Sequence, residues 1–175
     1  MKNILLTLSI LISACASAQV AIGKTTVSSP AVSLEFYDNA DNTRGIILPW
    51  VTNTAAVTGA VNGTLVYNTA DKKIYVKYAS GWRDLSVDNT GTVTTTLQDS
   101  LTDQDTAKVL IGGDPATDTT PGILVLAETN KAMVLPKVAS PHLKIVNPSP
   151  GMIVYDTTKK LLAVFNGTVW SFWKP

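Results

Sequence analysis

The sequence predicts an all-β fold: two related β-meander units joined by a Thr/Asp-rich linker. Short apolar or alternating runs are separated by Gly, Asn, Asp and Pro clusters, the spacing of strands and turns. One phrase, Gly63 to Tyr78 closed by Trp82, reads as strand, polar turn, strand and Gly-Trp corner. It returns as Gly151 to Phe165 closed by Trp170, and the pairs Tyr67/Tyr155 and Trp82/Trp170 are each 88 residues apart. The expected organisation is an export segment at 1–18, a first unit at 19–86, the linker at 87–108 and a second unit at 109–175.

The N-terminus carries the marks of export. Lys2 is followed by an apolar run from Ile4 to Ile12, then by Ala16, Ser17 and Ala18, a small-residue cleavage site before Gln19. The run falls short of the roughly 20 apolar residues that a spanning helix needs. Ile12-Ser13-Ala14-Cys15 fits a bacterial lipobox, which makes Cys15 a candidate lipidation site and an outer-membrane lipoprotein the alternative destination. Both readings place the mature protein outside the cytoplasm, secreted or at the cell surface. Cys15 is the single cysteine, so no disulfide forms within one chain. Cleavage before Gln19 leaves 13 basic and 13 acidic side chains. Zero net charge argues against nucleic acid as a partner and removes one barrier to self-association.

Along the chain, residues 19–22 form a short strand candidate. Ala31 to Tyr37 alternates, with Val32, Leu34 and Phe36 opposite Ser33 and Glu35, as in a half-buried strand. Asp38 to Thr43 is a polar turn. Arg44 to Val51 reads as a short buried strand ended by Pro49, and Thr52 to Ala60 as a loop or one helical turn. In the first hairpin Leu65 and Tyr67 share a face, as do Ile74, Val76 and Tyr78. The linker holds seven threonines between Thr90 and Thr106, with a weak helix candidate around Leu97 to Leu101. Leu110-Ile111-Gly112 then restates Ala21-Ile22-Gly23, residues 123–126 restate 34–36, and Met133 to Val138 restates Ile47 to Val51.

Lys72-Lys73 and Lys159-Lys160 are 87 apart, which places a one-residue length change in the hairpin turn. On that alignment Tyr75 and Lys77 correspond to Leu162 and Val164, so the second hairpin is apolar on both faces. Leu162, Val164 and Phe172 become the candidate assembly face.

Patterns for chemistry are thin. Gly23-Lys24-Thr25 lacks the upstream glycine of a phosphate-binding loop, because Ala18 stands there. The Asp38–Thr43 run lacks calcium-loop spacing. His142 near Ser140 brings no oxyanion-hole motif, and one histidine with no retained cysteine does not make a zinc site. Glu35 and Glu128, the only glutamates, fall near strand ends. These features argue for no cofactor and no enzyme activity. Tyr67, Tyr155, Trp82 and Trp170 recur at repeat positions and read as core. Trp50 and Trp173 have no aromatic counterpart and are the candidate ligand contacts. Ser100 and Thr106, each after an Asp and before an apolar or small residue, are candidate O-glycosylation sites.

The order of Val20-Ala21-Ile22-Gly23, Gly45-Ile46-Ile47-Leu48-Pro49 and the hairpin ending Asn166-Gly167-Thr168-Val169-Trp170 resembles a repeat of secreted bacterial surface proteins and phage tail-fibre-like proteins. The resemblance implies a non-enzymatic, β-rich, exported protein whose partners are its own copies, as a homotrimer, or other surface proteins. The leading expectation is a structural or adhesive surface protein that self-associates. The alternative is a monomeric carbohydrate-binding module contacting glycans through Trp50 or Trp173.

Overall fold

The computed structural model describes residues 19–102, 104 and 106–174. The chain is all-β apart from short helical turns. The first half supplies β1 (Val20–Ile22), β2 (Val32–Phe36), β3 (Ile46–Ile47), β4 (Trp50–Val51), β5 (Leu65–Asn68), β6 (Lys73–Tyr78) and β7 (Gly81–Asp84). The second half supplies β8 (Val109–Ile111), β9 (Leu124–Leu126), β10 (Ala132–Val134), β11 (Lys137–Val138), α1 (Pro141–Lys144), β12 (Met152–Asp156), β13 (Leu161–Phe165) and β14 (Trp170–Trp173). The export segment and Cys15 lie outside the described residues.

Two sheets carry the same plan. β4-β5-β6-β7 form one, and β11-β12-β13-β14 form the other in the same order, each with its first pair parallel and the rest antiparallel. Their registers coincide residue for residue. Tyr67 stands opposite Ile74 as Tyr155 stands opposite Leu162, and Lys77 opposite Trp82 as Phe165 opposite Trp170.

The turns are therefore of equal length, which corrects the alignment drawn from the lysine doublets. Lys72 and Lys160 occupy the same left-handed position, with φ of 60° and 56°. A one-residue slip exchanges the two faces of a strand. Tyr75 and Lys77 thus correspond to Ala163 and Phe165, not to Leu162 and Val164. The length difference falls upstream, between Val51 and Gly63, where a loop tolerates it.

Each half lends a strand to the other. β3 pairs antiparallel with β12, Ile47 opposite Met152 and Ile46 opposite Ile153. β10 pairs parallel with β2, completing a three-stranded sheet whose other edge is β1. β8 and β9 form a parallel pair. The stretch read as one strand up to Val51 is split, because Pro49 has no N–H to continue a ladder. Leu48 N–H donates to Gly151 at 3.0 Å, and Pro49 C=O accepts from Tyr67 N–H at 2.9 Å. At that corner the chain leaves the partner sheet and enters its own. Pro136 C=O accepts from Tyr155 N–H in the same way, at 2.9 Å.

The main core lies between the β4–β7 sheet and the β11–β14 sheet that β3 extends to five strands: Leu48, Tyr67, Ile74 and Leu85 against Ile153 and Val164. A second core, Val138, Ile145, Met152, Val154, Ala163 and Phe165, fills the other side of β12 and β13. Both faces of β13 are thus covered within one chain. Full burial of such a side chain contributes about 1.5–3 kcal/mol. β2 is buried on both faces where water was expected on one: Glu35 is met by Ser28 N–H and Lys24, and Ser33 Oγ donates to Ala132 C=O. The start of the linker docks as well. Thr92 Oγ1 donates to Gly167 C=O at 3.2 Å, Asn166 Nδ2 donates to Asp88 Oδ1 at 2.9 Å, and Val93 packs on the main core. Further on, Leu97 and Leu101 are exposed on hydrogen-bonded turns.

Candidate functional site

The seam between the halves is the most constrained region of the molecule. A Cβ on Gly45 would come within 2.6 Å of Val154 Cγ1 and 2.7 Å of Met152 Cγ, so only glycine lets β3 lie on β12. Gly151, at φ 80°, allows Tyr67 the same close approach; a Cβ there would sit 2.9 Å from Tyr67 Cβ. Trp50 packs on Tyr67 and donates from Nε1 to Pro150 C=O at 2.9 Å. Tyr67 is 0% exposed, and its hydroxyl donates to Asn166 C=O at 2.8 Å. Burial pushes its pKa up to about 12, so it stays neutral.

An ion cluster closes one end of the seam. Lys24 Nζ lies 3.2 Å from Glu35 Oε1 and 3.3 Å from Asp38, and Lys137 of the second half lies 3.5 Å from Asp38. Burial opposes the charge on Glu35. The Ser28 N–H at 2.5 Å and Lys24 outweigh it and hold the carboxyl below its ordinary range. Asp38 is held low in the same way, by Lys24 and Lys137 against burial.

Away from the seam the second half presents an open apolar surface. Met133, Val134, Leu135, Lys137 and Tyr155 line a groove of about 320 Å³ beside the free edge of β10. Leu135 and Tyr155 also border a wider hollow of about 720 Å³ that reaches Leu162 and Trp173. β9 has a free edge too, with Ile123 and Leu124 exposed.

The predicted site residues fall in different places. Val164 is 0% exposed, packed in the main core, so it is not an available assembly face. Phe172 stands opposite Ala163 and Trp173 opposite Leu162, so Phe172 projects on the other side of the sheet from Leu162. Phe172 is covered by the His142 ring at 5.6 Å and by Lys159 Nζ at 3.7 Å. Leu162 and Trp173 share the wide hollow, and Arg83 lies over the Trp173 ring at 5.8 Å. Trp50 is engaged in the seam. Tyr155, read as core, is 36% exposed on the groove.

Ser140 bonds to Thr158 at 3.2 Å, while His142 turns toward Phe172, so the two do not form a nucleophile–base pair. Lys24 serves the ion cluster, and Glu128 pairs with Lys131 at 3.5 Å. The Asp38–Thr43 turn satisfies itself, with Tyr37 donating to Asp41 and Asn42 to the carbonyls of Tyr37 and Lys137. Ser100 and Thr106 are exposed.

Sequence reasoning missed Met133, Val134, Leu135 and Tyr155. The available signal was a comparison of burial between equivalent positions, which patterning alone does not provide.

Comparison with known proteins places one match on this half of the chain. Residues 114–174 match the family described as the phage tail like trimerisation region. The matched segment contains β9, β10, both hollows and strands β11 to β14 of the second sheet. No curated protein and no solved structure gives a significant match.

Proposed function

We propose that the protein is an exported, non-enzymatic structural component that assembles as a homotrimer, in the manner of a tail-fibre segment at the cell surface. The carrying observation is the match of residues 114–174 to a trimerisation region, laid over the half of the chain whose apolar surface is left open. The neutral mature charge and the free strand edges support the same reading. Export rests on residues 1–18, with cleavage before Gln19 or lipidation at Cys15. The exposure of Ser100 and Thr106 supports their glycosylation, and the intact mass of protein from its native host reads that modification directly.

Light scattering on a sizing column tests the assembly. The expected mass is about three times that of one chain. A monomer at high concentration contradicts the reading. The glycan-binding alternative loses Trp50, which is bonded in the seam, and rests on Trp173, which borders the wide hollow beneath Arg83.

A further inference from the structure

The open surface of the second half is the seam's own geometry left unfilled. β1 and β2 correspond to β8 and β9, because Val20–Leu34 and Val109–Leu124 pair in the same register. Tyr37 N–H donates to Ile22 C=O as Ala127 N–H donates to Ile111 C=O. β3 corresponds to β10, each leading through a Leu-Pro corner into a strand that pairs with Tyr67 or Tyr155.

Within the chain, the seat formed by Ile46, Ile47, Leu48, Trp50 and Tyr67 is filled by residues 151–153 of β12 and its approach. The corresponding residues are Met133, Val134, Leu135, Lys137 and Tyr155. These five line the 320 Å³ groove. The segment corresponding to 151–153 is Gly63, Thr64 and Leu65, leading into β5; β6 pairs with one edge of that segment, and among the described residues no strand pairs with its other edge.

Burial follows occupancy at three corresponding positions, though not at Ile47, which is exposed in the filled seat. Leu34, flanked by β1 and β10, is 1% exposed, and Leu124, flanked by β8 alone, is 47% exposed. Ile153 is 2% exposed, whereas Leu65 is half-buried. Tyr67 is 0% exposed, and Tyr155 is 36% exposed. A Cβ on Gly151 would strike Tyr67, while Gly63 has open space at the same φ range, ready for a tyrosine.

The backbone edges are compatible. Ala132 N–H donates to Ala31 C=O beside β2, and Leu135 N–H has no backbone acceptor among the described residues, so that amide is open to a partner strand. Leu48 N–H already makes that bond to Gly151. The side chains differ at one point: Gly45 abuts Val154 and Met152, and Ala132, its counterpart with an added methyl, would face Val66 and the smaller Thr64, which requires a slightly wider spacing than the seam has.

We propose that a second copy of this chain fills the groove, its residues 63–65 pairing antiparallel with residues 133–135 as β12 pairs with β3. This rests on the self-association reading and specifies its contact. In the same contact the second copy's β3 lies parallel to β9, covering Leu124. Its Leu65 and Val76 pack on Tyr155, Leu162 and Trp173, as Ile153 and Val164 pack on Tyr67, Ile74 and Leu85. The interface is head-to-tail: unlike surfaces meet, and the contact repeats from chain to chain until it closes. Closure after three chains gives six related units in a ring.

Directional cross-linking tests the contact. In chains carrying Cys15→Ser, Met133→Cys and Leu65→Cys are made separately, with Ile46→Cys/Ile153→Cys as an intrachain control. Paired β positions lie within disulfide reach. On oxidation the control closes within one chain, which also reports a folded seam. Mixing the Met133→Cys and Leu65→Cys chains is expected to give a covalent dimer, with neither variant dimerising alone. A control that closes while the mixture stays uncross-linked overturns the proposal, and so does a single variant that dimerises with itself. A trimer mass with no mixed cross-link refutes this contact alone, whereas a monomer mass refutes self-association. If a cysteine variant does not fold, Leu124→Lys serves instead, because the residue is exposed in the single chain. It is expected to abolish assembly with its thermal transition intact, and an unchanged mass overturns the proposal.

Discussion

At the scale of single residues, Tyr67 and Tyr155 show what a pattern reveals and what it conceals. Both stand at the same ladder position, and the sequence marks both as core. Only Tyr67 is enclosed, because Trp50, Gly151 and Asn166 surround it. The sequence shows that a position is apolar but not which neighbour covers it. Tyr67→Phe removes the donor to a buried carbonyl and should cost about 1–3 kcal/mol in denaturant unfolding. Tyr155→Ala should change the unfolding of the single chain by less than about 0.5 kcal/mol, as exposed substitutions do, while weakening assembly on a sizing column. Glu35 predicts a pH dependence. Its folded pKa lies below the unfolded value, so its stabilisation is present above the unfolded value, near 4.5, and is lost as pH falls through the folded one. Asp38 acts in the same direction. The thermal midpoint should therefore drop as pH is lowered from about 5 toward 3, and Glu35→Gln should flatten that drop. An acid profile unchanged by the substitution would contradict the ion cluster's role.

At the scale of elements, alternation made the hairpins legible. Gly63 to Trp82 and its counterpart form where they were expected, since period-2 patterning bounded by turn residues admits few alternatives. The lysine doublets misled because exposed lysines carry no register information, whereas the buried Tyr–Ile and Tyr–Leu pairs do. The Arg44–Val51 stretch was apolar enough for one strand, but nothing local says that Pro49 hands the chain between sheets. α1 escaped notice because a single turn leaves no helical period. The seam supplies the element-scale prediction. Gly45→Val places side-chain atoms against Met152 and Val154 and should cost about 1–3 kcal/mol, the usual penalty of overpacking. The corresponding Ala132→Val should leave the single chain's unfolding almost unchanged, because Ala132 is exposed and only β2 pairs beside it.

At the scale of the whole molecule, the halves are interdependent. Each sheet core is completed by a strand or a face from the other half, so a fragment of 19–86 alone would expose Leu34, Tyr67 and Ile74. Circular dichroism of that fragment should lack a cooperative thermal transition. The duplication and the apolar second hairpin were legible in the sequence. Their consequence was not, because it depends on which of two equivalent seats the chain itself can reach. The first seat is filled internally, and the second faces outward on the segment that matches a trimerisation region. The most direct test is hydrogen exchange at the Leu135 amide, the counterpart of Leu48 N–H bonded to Gly151 at 3.0 Å. The predicted result is strong protection in the assembled protein, lost on dilution to single chains. Rapid exchange at Leu135 in a sample whose mass is that of a trimer would contradict it.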